Sequence, residues 1–437
     1  MRFLFPAVLL ALLSGCGEGA DVTRPADASA VATGAHYTVT KYPASLGGSQ
    51  SRGMAISNSG VVAGWSNTFG NGARHAVIWR DGALTDLGTL GQQGGLSSTV
   101  PWPGLNNNGM VVGISQTDEV DRLDESWSCE EGGFVPNGGT NLACRGFVWE
   151  NGVMQALPTF GGTHGFTTAV NNQGQIVGWA ETTVHDPTCV APQVLQFRAA
   201  MWEPKKGAVT ELPPFPGDST SAATAINQRG QAVGISGDCD IAVGRFSARH
   251  AVLWDHGRVR EIPDLGGSAW HTPMDVNDSG VVVGFSNPPG PGDPEGEFIA
   301  HAFLWDGGSS ATDLGVLDGD AVSEALAINA RGQVVGVSFG GSAGSRAFLY
   351  QNGAMRNLND LVDSDDVLLS AQDINDAGVI TGRCTPLPRA MRSKRSSKVP
   401  IEPPTSAPAR VSSSRSARST SGRFGTIKIG SESSAAR

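Results

Sequence analysis

One feature constrains this chain more than any other: a short pattern that returns seven times between Met54 and Gly382. Each copy holds a small residue, an apolar residue, Asn, two further residues and Gly, followed by a β-branched run that ends in a second Gly. The copies are Ala55-Ile56-Ser57 to Gly64, Gly104-Leu105-Asn106 to Gly113, Ala169-Val170-Asn171 to Gly178, Ala225-Ile226-Asn227 to Gly234, Asp275-Val276-Asn277 to Gly284, Ala327-Ile328-Asn329 to Gly336 and Asp373-Ile374-Asn375 to Gly382. The first copy has Ser57 where the others have Asn. Successive final glycines are 49, 65, 56, 50, 52 and 46 residues apart, a period that belongs to propeller blades and exceeds that of the shorter solenoid coils. Each copy reads as strand, tight turn, strand: Asn satisfies turn backbone through its side chain, and Gly takes the positive φ that would strain other residues.

A second pattern follows each of the first six copies: His75-Ala76-Val77-Ile78-Trp79, Arg145 to Trp149, Arg198 to Trp202, His250 to Trp254, His301-Ala302-Phe303-Leu304-Trp305 and Arg346 to Tyr350. A Gly-containing turn then leads into a fourth strand such as Leu84-Thr85-Asp86-Leu87-Gly88. Four short antiparallel strands repeated radially are the blades of a β-propeller, so the expected class is all-β, a propeller of about seven four-stranded blades. Low charge content, 16% of residues, against the roughly 25% of an ordinary soluble domain, argues in the same direction and against a helical bundle.

Through His301-Ala302-Phe303 and its counterparts, residues 37–382 resemble the HAF-type extracellular repeat family. The resemblance implies an exported, propeller-like protein and assigns no biochemical activity. Ring closure is expected to use Tyr37 to Tyr42, an orphan fourth strand that could complete a last blade begun by Gln372 to Ile374 and Val379 to Gly382. That blade lacks a His-Ala-Phe-like strand. Residues 383–437 instead carry 12 Lys/Arg against 2 Asp/Glu in a Ser/Arg/Pro-rich context, expected to be disordered, whether a basic tail or the product of a shifted reading frame.

The N-terminus reads as a lipoprotein signal peptide over 1–15: Arg2, an apolar run to Leu13, then Leu13-Ser14-Gly15-Cys16, which resembles the bacterial lipobox. Cys16 would then carry the lipid, residues 16–36 would form a tether, and the membrane would be reached through the anchor and not a spanning helix. Gly17 in place of Asp favours the outer membrane or cell surface. The body before residue 383 holds 19 Lys/Arg against 39 Asp/Glu and so lacks the clustered cations that nucleic acid requires. For an exported chain pairing of the remaining cysteines is the default: the expected bridges are Cys129–Cys144 and Cys189–Cys239, with Cys384 unpaired.

Connections between second and third strands run 11, 32, 20, 16, 17 and 10 residues, so insertions gather on one face together with the connections between blades. Binding usually sits on such variable loops. Candidate ligand-binding residues there are Trp102, Trp127, His164, Phe166, His185, Asp186, Trp270 and His271. No metal site, cofactor or catalytic residue is assigned. Gly336-Val337-Ser338-Phe339-Gly340 matches a nucleophile elbow, but equivalent serines at 66, 115, 236 and 286 make it part of the repeat. The His/Arg and Trp positions of the repeat read as structural hydrogen bonding and inter-blade packing. The function expected is non-enzymatic binding of a polysaccharide or surface protein, with oligomeric state open. The rivals are a polysaccharide lyase or glycosidase using Glu130/Glu131 or His185/Asp186 as a carboxylate or acid/base pair, and a plain envelope scaffold.

Overall fold

The computed structural model describes residues 37–42, 45–125, 140–240, 245–290 and 298–386, and the backbone of 426–430. It is an all-β propeller of four-stranded antiparallel sheets. Six blades each take four consecutive strands. Blade 1 runs from Gly47–Ile56 through Val62–Thr68 and Arg74–Arg80 to Ala83–Asp86. Blades 2 to 6 repeat this plan over residues 98–156, 161–212, 220–262, 272–315 and 322–357. A closing sheet draws on both ends of the chain: Asp366–Ile374 and Ile380–Pro386 are joined by Thr426–Gly430 and then by Thr38–Tyr42.

The recruitment of Thr38–Tyr42 matches the orphan-strand expectation, whereas Thr426–Gly430 does not fit a tail disordered throughout. Thr426–Gly430 pairs in register with Ile380–Arg383 on one side and Thr38–Tyr42 on the other. The sheet also continues past residue 382, to Pro386. The segment Thr426-Ile427-Lys428-Ile429-Gly430 has strand alternation, but the 39 residues after Pro386 separate it from its partner and hide the relation.

Each glycine that ends the repeat has a packing reason beyond turn chemistry. In Gly178 a Cβ would run into the carbonyl oxygen of Phe166, and in Gly234 into that of Ala222. The first strand bulges opposite these glycines, between Thr167 and Ala169 and between Ala223 and Ala225, which presses its backbone onto the neighbouring strand. The turn glycines, among them Gly174 at φ 80° and Gly230 at φ 77°, take the left-handed conformation.

Sheets pack face to face around the ring. Trp79, Trp202, Trp254 and Trp305 are almost wholly buried between blades, and the Trp202 and Trp254 indole N–H groups donate to the carbonyls of Pro158 and Pro213 at 2.8 and 2.7 Å. The repeat's His and Arg serve structure too. His75 and His301 bond through Nδ1 to Asp86 and Asp313 at 2.9 Å, while Arg346 pairs with Asp320 at 2.8 Å. Among the described residues no helix is long and apolar enough to cross a membrane.

Candidate functional site

The two ends of the propeller differ in what they leave available. At one end, the Asn turns lock into one another. Nδ2 of each repeat Asn donates to the carbonyl of the equivalent residue in the next sheet, in order 106 to 171, 171 to 227, 227 to 277, 277 to 329, 329 to 375 and 375 to 57, at 2.9 to 3.2 Å. Ser57 is too short to continue to Asn106. A second circuit runs one residue further out: the backbone N–H of Asn58, Asn107, Asn172, Gln228, Ala330 and Asp376 donates to a side-chain oxygen of the next sheet at 2.7 to 3.0 Å. Ala330 offers no acceptor to blade 5, so each circuit has one gap. Oδ1 of the same Asn accepts two N–H groups of its own turn, as Asn227 does from Arg229 and Gln231 at 3.0 Å. This end is committed to holding the ring together.

The opposite, variable end carries the insertions. Its best defined crosslink is the Cys189–Cys239 disulfide, joining the loops of blades 3 and 4. Cys144 and Cys384 are disulfide-bonded as well, their partners lying outside the described residues, so the expectation that Cys384 is unpaired is corrected. Cys384 is fully buried in the closing sheet. Cys16, Trp127, Cys129, Glu130 and Glu131 lie outside the described residues. A chain with such bridges folds in an oxidising setting.

Several residues expected to contact ligand are interior. His164, Phe166 and His271 are buried at 0%, 3% and 3% exposure. Phe166 stacks on Trp179 at 5.8 Å and meets the half-buried Trp102 edge-on at 5.5 Å, so Trp102 and Phe166 do come together, as a core between blades. Asp186 is buried too, its Oδ1 accepting from the Thr188 N–H and hydroxyl at 2.8 and 2.7 Å, which fixes the turn before Cys189. His185 is exposed. The pair expected to act as acid and base therefore points to different environments. His271 hydrogen-bonds through Nδ1 to Ser286 at 2.8 Å, and burial holds its pKa below the ordinary histidine value.

A polar cluster that resembles a catalytic group also proves inaccessible. His164 Nε2 lies 3.1 Å from Asp121 Oδ2, and its Nδ1 accepts the Cys144 N–H at 3.1 Å. Glu125 Oε1 accepts from Val194 N–H at 2.7 Å and from Leu195 N–H at 2.5 Å, and Gln193 Nε2 donates to Glu181 at 3.0 Å. Burial, then the Glu181 charge, pushes Glu125 up to about 7. All of Asp121, Glu125, His164 and Glu181 are at most 1% exposed, so the cluster pins the blade 2 insertion to blade 3 and meets no solvent.

Partly open groups converge elsewhere on the variable end. Phe298, in the blade 5 insertion, meets Trp270 at 5.4 Å, Phe285 at 5.4 Å and Phe339 at 6.4 Å, and all four rings are half-buried. Trp270 is thus a sequence candidate that joins an aromatic group with remaining exposure, as the half-buried Trp102 does beside Phe166. Phe285, Phe298 and Phe339 were masked in the sequence by their place in strands or in a Gly/Pro-rich insertion. Next to them on the innermost strand of blade 6 is Glu324, whose carboxyl burial pushes up to about 7 against the opposing pull of Arg52. Among the described residues no group of His, Cys, Asp or Glu could hold a metal ion.

No family model matches the chain, and no curated protein matches it in sequence. Several solved structures are similar to it at low identity. An acylaminoacyl peptidase from Pyrococcus horikoshii is 10% identical, with a TM-score of 0.46, over 77% of this chain and 50% of its own. The β-propeller domain of the Trilobed protease from Pyrococcus furiosus is 12% identical, with a TM-score of 0.42, over 70% and 81%. An Aleuria aurantia lectin is 9% identical, with a TM-score of 0.37, over 70% and 94%. The chain spans half the length of the acylaminoacyl peptidase it matches.

Proposed function

We propose that this is an exported binding module of the HAF-type repeat kind, working at the bacterial outer membrane or cell surface, which uses the variable end of its propeller to hold a polysaccharide without turnover. The observation that carries this is the aromatic group of Trp270, Phe285, Phe298 and Phe339, half-buried and therefore stiff, yet with ring surface left to solvent. Rigid aromatic faces stack on sugar rings at little entropic cost. The cysteine bridges support work in an oxidising compartment. The burial of the Asp121, Glu125, His164 and Glu181 cluster weighs against the lyase or glycosidase alternative, because no substrate reaches it.

Retention of the folded, oxidised protein on an array of bacterial and host polysaccharides, with reducing ends assayed on the same spots, tests this. Retention without release, lost in Trp270→Ala and in Phe298→Ala, is the expected outcome. Release of reducing ends would transfer the chain to the enzyme reading.

A further inference from the structure

The repeat places an apolar residue directly after the glycine that ends its β-branched run, and six sheets comply, with Trp65, Ile114, Trp179, Ile235, Phe285 and Val337. The closing sheet has Arg383 at this position, paired in register with Ser370 as Trp65 is with Arg52. Trp65 and Trp179 show what the position does elsewhere: they belong to the hydrophobic clusters between neighbouring blades. Arg383 thus introduces a cation into a seam built for packing. Next to it, on the innermost strand of blade 1, Arg52 stands five residues before its turn residue, the place held by Phe166, Ala222 and Glu324 in blades 3, 4 and 6. Arg74 lies 3.7 Å over the Trp65 ring, with its Nε donating to Asn67 at 3.1 Å.

Arg74 is therefore oriented, but Arg52 and Arg383 are not. Among the described residues neither guanidinium has a hydrogen-bond or ion-pair partner, and the Nε of each is buried without an acceptor. The Glu324 charge acts on Arg52, yet the two form no ion pair. Burial pulls Arg52, Arg74 and Arg383 below the ordinary arginine value, and the Arg52 charge pulls Arg74 and Arg383 further down, while Glu324 pulls Arg52 back up; even so they stay above neutrality and charged. Three cations close together, two of them half-buried, with a buried Nε and no partner among the described residues, are costly to keep in a fold whose other seams are apolar. Arginine presents its donors as a planar fork that fits carboxylate, sulfate or phosphate oxygens two at a time.

We infer that Arg52 and Arg383, with Arg74 beside them, bind an oxyanion group of the ligand at the seam between the closing sheet and blade 1. Resting on the binding-module function proposed above, this makes the ligand an acidic polysaccharide, its negative group being a uronate carboxylate or a sulfate ester. The acid sits in the arginine sector, and another sugar of the same polysaccharide uses the aromatic group.

Isothermal titration of the full chain with oligogalacturonate, a sulfated chondroitin oligosaccharide and a neutral cello-oligosaccharide separates the possibilities. Wild type is expected to bind one of the two acidic probes, with affinity that falls as salt is added, and to prefer it to the neutral one. Which acidic probe wins distinguishes carboxylate from sulfate. Arg52→Gln and Arg383→Val should each weaken that binding by about tenfold or more. Arg383→Val restores the residue type of the other sheets, so it should also melt above wild type, which separates lost binding from lost folding. Equal binding of acidic and neutral probes, unchanged affinity in both variants, or a folded Arg383→Val that melts lower would each overturn the inference while leaving a binding module in place. Failure of every probe to bind wild type would overturn both.

Discussion

Asn227 performs two separable tasks, and substitution can pull them apart. Its Oδ1 accepts from Arg229 N–H and Gln231 N–H at 3.0 Å, and its Nδ2 donates to Gln231 Oε1 at 2.9 Å and to the Asn277 carbonyl at 3.0 Å. At 2% exposure none of these groups has easy access to water. Counting about 1 kcal/mol for each of the four bonds, less some recovery by turn donors near the surface, Asn227→Ala should cost about 3 kcal/mol. Serine is the informative second change, because Ser57 shows what it does in this fold: its Oγ still accepts the Val61 N–H at 3.1 Å, but it makes no link to the next blade. Asn227→Ser should therefore lose the link and keep part of the turn, at about half the cost of alanine. The reciprocal change, Ser57→Asn, should close the gap in the inner circuit and stabilise by about 1 kcal/mol. Guanidinium unfolding of the oxidised proteins, followed by tryptophan fluorescence, measures all three. If Asn227→Ser is as damaging as Asn227→Ala, or if Ser57→Asn lowers the midpoint, the blade-to-blade link contributes nothing and the argument is wrong.

Three further outcomes are expected. Replacing Cys189 and Cys239 together by Ala opens a loop of 50 residues and should lower stability by about 4 kcal/mol on the chain-entropy estimate, read as a lower melting temperature. Glu125, Glu324 and Asp373 are pushed up to about 7 and Asp275 to about 6, in each case first by burial. Folding therefore takes up protons between about pH 4 and 7, and stability should fall as pH rises through that window; the melting temperature should be higher at pH 5.5 than at pH 7.5. Glu125→Gln should reduce that slope, since it removes one raised group and its repulsion with Glu181, and a melting curve with unchanged pH dependence would count against the assignment.

Much of the architecture was legible because the repeat states it twice, once in the Asn turn and again in the His/Arg-led strand. The purpose of the Asn was only half legible. Its capping of its own turn follows from local chemistry, but the Nδ2 bond to the next blade spans 46 to 65 residues and has no local signature. The same holds for Thr426–Gly430, whose partner strand lies far upstream. The site was harder to see. Loop position alone selected His164, Phe166 and His271, yet the insertions fold back and cover them. Arg383 is visible in the sequence as a departure from an apolar column, but it stands where the repeat pattern ends and the basic tail begins.

The closing sheet has a consequence for the order in which the molecule is assembled. Thr38–Tyr42 is among the first strands to be synthesised and cannot find its place until Thr426–Gly430 has been made. Every other sheet is built from neighbours along the chain and can form as it emerges, whereas this one joins residues separated by nearly the whole sequence, the slowest kind of contact to reach. Folding should thus finish with a late, single event at one seam, after an interval in which the ring is an open arc with two unpaired edges. The same seam holds Arg52 and Arg383, on opposite sides of the join. A ligand gripping both would act as a clasp, and its presence should slow the reopening of the ring more than it speeds the closing.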